Sequence, residues 1–351
     1  MPVTAQMLAN AANAALEFHM DRGRVFDQSI QARPFLKRMA AKAKKFPGGK
    51  DNITIRVVGD YTTTIMGFSY DDQISYQNPA NIKMLTYPWK EIHAGISMTM
   101  TELKTDGIHV VDSLDGKNTT EASQREMTAL AGILENKIED MAEGWARGVN
   151  EMLWRDGTQD AKQVPGLRSF ILNSPSSAVM VAGVDQSANS WWRNRASLLI
   201  NAATASNQNL ITELEAEHLQ LRRYGGRPNF FPVGSDFLEA YQRELRANGS
   251  YTQVGFRSGT GTDGGFGEVA FKGIPLEYDP TLDDLGLAKY GFLLDMDTIF
   301  PMDMESEGTL TAPKQHSPAR PEDKYVLYRA LTWTGGLVCR KRNANGIYSI
   351  A

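Results

Sequence analysis

Cysteine is almost absent: Cys339 is the only one in 351 residues. Intrachain disulfides and CxxC metal sites are therefore excluded, and a reducing, cytoplasmic place of folding fits. No run of about 18 apolar residues occurs, so no segment reads as a membrane span. The first residues carry no basic stretch ahead of an apolar one and do not read as a signal peptide. The five histidines (His19, His93, His109, His218, His316) lack metal-ligand spacing, and no HExxH is present. No GxSxG elbow and no Walker lysine loop occur. These absences leave no catalytic group, cofactor or metal to expect, and an enzyme is not the expected class.

Two segments come near to chemistry without reaching it. Residues 259–264 read Gly-Thr-Gly-Thr-Asp-Gly and match GxGxxG. A dinucleotide site needs a strand before the motif and a helix after it, whereas here more glycine and a strand-like stretch follow. A glycine loop between strands is the plainer reading. Asp295, Asp297 and Asp303 form an acidic patch, but the spacing lacks the glycine and closing Glu of a calcium loop.

Charge is present but uneven. Residues 1–50 hold nine Lys or Arg and three acids, a net +6; the remainder holds 28 basic and 38 acidic residues, a net −10. Such asymmetry marks either a basic arm that meets nucleic acid or a partner, or a solvated amphipathic helix. Arg33, Lys37, Arg38, Lys42, Lys44 and Lys45 are the candidate contact residues of such an arm.

Periodicity supplies the architecture. Residues 4–20 are Ala-rich and helical in propensity. Pro34 opens a helical stretch through FLKRMAAKAKK that Pro47-Gly48-Gly49 closes. The period then falls to two. Ile53, Ile55 and Val57 share one face and Met66, Phe68 and Tyr70 another, which predicts a two-stranded excursion over residues 50–90. Ala94, Ile96, Met98 and Met100 alternate as a half-buried strand. The spacing of Met127, Leu130, Ala131, Leu134, Ile138, Met141, Trp145, Val149 and Met152 predicts one long amphipathic helix over 119–154. Asn118 and Glu121 read as its capping box, and Asp156-Gly157 as its stop.

Residues 168–204 read as irregular and hold Trp191-Trp192-Arg193. Two adjacent tryptophans on an extended segment cannot both enter one core, so one of them is a candidate for cover by another subunit. Helices are predicted at 207–223 and from Ser235 to Asn248-Gly249, and strands at 228–232, 268–278 and 290–296. A strand near 325–333 should turn at Gly335-Gly336, and Asn345-Gly346 carries a hairpin signal. The class is α+β.

This order of parts resembles the major capsid proteins of tailed double-stranded DNA bacteriophages, which have the Hong Kong 97-like capsid fold. VPGLRSFI, GVDQSANSWWRNR, RPNFFPVGSDFLEAYQREL, FKGIPLEYDP and KYVLYRALTWTGGLVCRKRN carry the likeness, which covers most of residues 48–343. The resemblance implies an N-terminal arm at 1–48 and an extended β-hairpin loop at 49–92 that reaches over a neighbour. It implies a peripheral domain at 93–164 with its spine helix at 119–154, an axial domain at 165–320, and peripheral return strands at 321–351.

It also implies a structural protein that self-assembles through pentamers and hexamers into the icosahedral or prolate head shell around the genome. Expected partners are copies of itself, a separate scaffolding protein, a portal, packaged double-stranded DNA by non-specific contact, and in some cases a decoration protein; no membrane is expected. Residence in the virion and assembly in the host bacterial cytoplasm follow. Candidate intersubunit contacts are Trp191, Trp192, Arg193, Ile53, Ile55, Met66 and Phe68. An arm of 48 residues is short for a cleaved scaffolding segment, so no proteolytic maturation is expected. Lys83 and Lys90 lie near the loop without an identifiable isopeptide partner. An encapsulin-like nanocompartment shell shares the implied fold and stays as the near alternative. An enzyme built on the 259–264 loop and a monomeric binding module are the distant ones.

Overall fold

The computed structural model describes residues 3–4, 33–74, 76, 78, 81–99, 101, 110–111, 124–202, 209–247, 269–319 and 326–351. In chain order, strand β1 (Val3–Thr4) is followed by helix α1 (Pro34–Ala41) and strand β2 (Lys44–Phe46). A ribbon of β3 (Asn52–Val58) and β4 (Ile82–Pro88) precedes β5 (Lys90–Thr99) and β6 (Val110–Val111). Helix α2 (Gln124–Trp154) is 31 residues long. Short strands β7 (Met180–Val181) and β8 (Val184–Asp185) lead to β9 (Arg195–Ile200). Next come α3 (Leu210–Arg223), β10 (Phe231–Val233) and α4 (Ser235–Ala247). Strands β11 (Ala270–Phe271) and β12 (Ile274–Tyr278) and the short α5 (Pro280–Asp284) follow. The chain closes with β13 (Tyr290–Leu293), β14 (Ile299–Met304), β15 (Lys314–Ala319), β16 (Val326–Cys339) and β17 (Gly346–Ile350).

Two sheets carry the molecule. One has the order β11-β12-β10-β13-β17-β9; the other has β15-β16-β14-β2, with β5 paired along β16. Helix α2 lies beside the second sheet and is about 46 Å long at 1.5 Å per residue. Met141, Trp145, Val149 and Met152, spaced three to four apart, are its buried face. Its last turn places Trp154 between Phe35 of α1 (4.2 Å between centroids) and Phe292 of β13 (5.0 Å). The indole N–H donates to buried Asp279 at 3.0 Å. One side chain thus joins the arm root, the long helix and the first sheet. Helices α3 and α4 cover the other side of that sheet through Leu210, Leu214, Leu221, Phe237 and Tyr241.

Several expectations are corrected. The stretch after Ala41 is strand β2, not helix: it pairs in parallel with Met302–Met304, and a sheet edge outweighs local helix propensity. Gly335-Gly336 is no turn, because β16 runs through it unbroken. A Cβ on Gly335 would overlap the Trp333 ring and lie 2.5 Å from the Met302 carbonyl; one on Gly336 would lie 2.7 Å from the Pro88 carbonyl. The glycines are there for close approach of neighbouring strands. Asn345-Gly346 is no hairpin either, since β16 and β17 belong to different sheets. The strand expected over 268–278 is a tight hairpin turned by Lys272 and Gly273, both at positive φ. Residues 168–204 include β9, which was expected to be irregular.

Sheet membership crosses the expected domain limits. β14 and β15 sit with β5, while β17 sits in the other sheet. The Ala-rich stretch (apart from Thr4), Asn118, Glu121 and the 259–264 loop lie outside the described residues.

Candidate functional site

The excursion between β3 and β4 is exposed along nearly all of its described residues. Strand pairing runs from Asn52–Pro88 to Val58–Ile82. Alternation places Ile53 inside and half-buries Ile55 and Val57 against the core. Beyond the bond from the Gly59 N–H to the Asn81 carbonyl the strands part, so Met66, Phe68 and Tyr70 lie on open loop arms and not on the expected strand. Ile65, Tyr70 and Tyr76 are almost wholly solvent-facing, and Phe68 is largely exposed. The two arms enclose a cleft of about 590 Å³ lined by Met66, Phe68 and Ile74. The tip is a defined turn: the Ser69 N–H donates to the Asp72 carboxylate at 2.8 Å, and the Asp72 N–H to the Ser69 carbonyl at 3.1 Å. Exposed apolar clusters of this size mark interaction surfaces.

The loop leaves the body at Gly59, beside the tryptophan pair. A Cβ on Gly59 would stand 2.9 Å from the Trp191 ring, so only glycine lets the backbone pass this close. Trp192 is buried, and its indole donates to the Val181 carbonyl at 3.1 Å. Arg193 donates to the Gln186 and Ser187 carbonyls. Ile53 and Trp192 are buried within the subunit. Half-buried Trp191 and exposed Met66 and Phe68 keep faces available.

Arg342, which sequence reasoning missed, holds this region together. It is fully buried and faces four acceptors: the Phe170 and Trp192 carbonyls, Gln186 Oε1 and Asn194 Oδ1. Its guanidinium also lies 5.5 Å from the Trp192 ring. Burial pushes its pKa down to about 10. The run RKRN reads as surface charge, and no local pattern signals a buried member.

The basic segment is largely tied to the subunit's own body. Arg33 pairs with Glu143 of α2, Arg38 with Glu277 of β12 at 2.7 Å, and Lys42 with Asp297 at 2.7 Å. Lys44 sits over the Phe300 ring at 4.1 Å. Lys37 and Lys45 are exposed.

The acidic patch is dispersed. Asp295 is buried, accepts from the Arg227 and Asp297 N–H groups, and has its pKa raised by desolvation. Asp303 accepts from the Trp333 indole at 2.8 Å, and burial pushes its carboxyl up to about 6. No group of three or more potential metal ligands exists among the described residues. His218 packs edge-on to Phe271, and desolvation lowers its pKa. Among the described residues no helix is long and apolar enough to cross a membrane.

Comparison with solved structures gives this arrangement a precedent. The chain superposes on a chain of the cyanophage A-1(L) capsid asymmetric unit with a TM-score of 0.63 and 16% identity, covering 90% of this chain and 92% of that one. The chain has the Hong Kong 97-like capsid fold. A chain from the capsid of the native GTA particle aligns with a TM-score of 0.52 and 12% identity, covering 90% of each chain. No protein-family model matches the sequence, and no curated protein matches it. The likeness is one of fold and spans 90% of the chain.

Proposed function

We propose that this chain is the major capsid protein of a tailed double-stranded DNA phage, assembling through pentamers and hexamers into the head shell. The observation that carries the reading is a capsid fold shared over 90% of the chain. The exposed loop supports it. A two-stranded ribbon is marginal alone, and this one ends in arms that expose large apolar side chains. A neighbouring copy supplies that cover in a shell. No reaction is assigned to the protein. Assembly in the host bacterial cytoplasm, a separate scaffolding protein, a portal, and in some shells a decoration protein belong to the same proposal. The ion pairs of Arg33, Arg38 and Lys42 and the Lys44–Phe300 contact leave exposed Lys37 and Lys45 as the described arm residues for non-specific contact with packaged DNA.

Negative-stain electron microscopy of the purified protein, expressed with and without its scaffold, tests the reading. Closed shells, tubes or rings of five or six subunits are expected. A uniform monomer under every condition overturns it. Particles free of nucleic acid when purified from infected cells would favour the nanocompartment alternative.

A further inference from the structure

At the root of the loop lies an open cleft of about 550 Å³. One wall is the start of the loop itself, from Arg56 to Tyr61; the others come from Trp191, Tyr224 and the Arg340–Asn343 segment. Its charged residues are Arg56, Arg340, Lys341 and Arg342 against Asp60 and Asp297, a net +2. Arg342 is buried and held by its four acceptors, and Asp297 is paired with Lys42. Arg56 and Arg340 form no ion pair with a carboxylate among the described residues, and both face solvent. The rim is aromatic, with Tyr224 half exposed and Trp191 at the edge.

The far end of the same loop is the complement. Residues 61–81 hold Asp71 and Asp72 and no basic residue. The Ser69–Asp72 turn holds Tyr70 fully out into solvent beside Asp71. Root and tip are separated by about eleven residues, a reach of up to about 35–40 Å if extended. The tip does not line the cleft in its own subunit.

We propose that the Tyr70–Asp71 tip of one copy seats in the root cleft of the next, with Asp71 meeting Arg56 and Arg340 and Tyr70 packing against Trp191 and Tyr224. This inference rests on the shell reading above and names the receptor for its loop. The contact is heterologous, tip to root, and such contacts form a ring when the rotation between copies closes, as the shell reading requires. Opposite charge steers the tip to the cleft and rejects a misplaced one, and salt weakens the encounter.

Paired cysteines test the geometry, because the native Cys339 is buried. In shells carrying both Asp71→Cys and Arg56→Cys, mild oxidation should give a ladder up to five or six subunits on a non-reducing gel. Either single variant should give none. A charge-swap cycle tests the chemistry independently. Asp71→Lys and Arg340→Glu should each raise the concentration needed for assembly by about tenfold, and the double variant should bring it back to within a few-fold. Shells that form without a ladder and without rescue overturn the socket and leave the shell reading standing. Absence of shells from the unmodified protein under every condition overturns both.

Discussion

Arg342→Lys is the substitution that most directly tests how the loop root is held. The guanidinium offers five donors in a planar fork, and here that fork meets four acceptors from three chain segments: Phe170, the Gln186 loop, and Trp192 with Asn194. An ammonium keeps the charge but offers three donors from one point. At least one acceptor loses its partner in a site with no solvent access. An orphaned buried acceptor costs ~1–3 kcal/mol, so the variant should lose at least about that much against a total of roughly 5–15 for an ordinary domain. Tryptophan fluorescence during urea unfolding of the unassembled subunit is the assay, with Trp192 beside the substituted side chain as a reporter. Limited proteolysis should also find new cleavage within residues 180–194. A loss below about 1 kcal/mol, with the segment still protected, would refute the idea that this cation fixes the platform under Trp191.

Gly335→Ala should destabilise by about 3 kcal/mol or more, because the new Cβ overlaps the Trp333 ring and the Met302 carbonyl; a thermal melt reads it, and near-neutral behaviour would restore the turn reading. Asp303 has a folded pKa of about 6, above its unfolded value, so the native state binds more protons and stability should fall as pH rises from about 4 to 6. Asp303→Asn, which still accepts from Trp333, should flatten that fall and gain about 1–2 kcal/mol at neutral pH, as urea midpoints across the range would show. Phe68→Ser with Ile65→Ser should leave subunit unfolding within about 0.5 kcal/mol of the parent, since both are exposed, yet abolish shell formation by light scattering.

The long helix, the loop, α3, α4 and β5 were legible because each carries its own apolar period. Met141, Trp145, Val149 and Met152 repeat at the helical spacing and are buried. What was hidden depends on contacts far away in sequence. Lys44–Phe46 becomes a strand because Met302–Met304 offers an edge. Gly335 and Gly336 look like a turn until Pro88 and Met302 are brought against them. β9 has no clean alternation, and its Leu199 even adopts a positive φ of 58°. In the candidate site, the exposed apolar loop could be read directly, whereas the Gly59–Trp191 approach and the buried Arg342 could not. A tryptophan pair and a run of basic residues do not announce which member faces inward.

The loop's composition also bears on how tightly subunits should hold one another. Tyr61, Ile65, Met66, Phe68, Tyr70, Ile74 and Tyr76 are the large apolar side chains exposed on it. Covering about 100 Å² on each would contribute roughly 15–20 kcal/mol gross at 25 cal/mol per Å². Ordering the loop arms and giving up rigid-body freedom oppose this with a total of similar size. The net value of one loop contact is therefore small, a few kcal/mol at most. A single pair of subunits should then come apart at micromolar concentration, while a closed ring, in which every tip and every root is engaged, persists. Assembly should accordingly rise steeply over a narrow concentration range, with dimers and trimers scarce throughout. Sedimentation velocity across that range reads this directly: a ladder of abundant small oligomers would mean that one loop contact is strong by itself, against the balance of burial and ordering argued here.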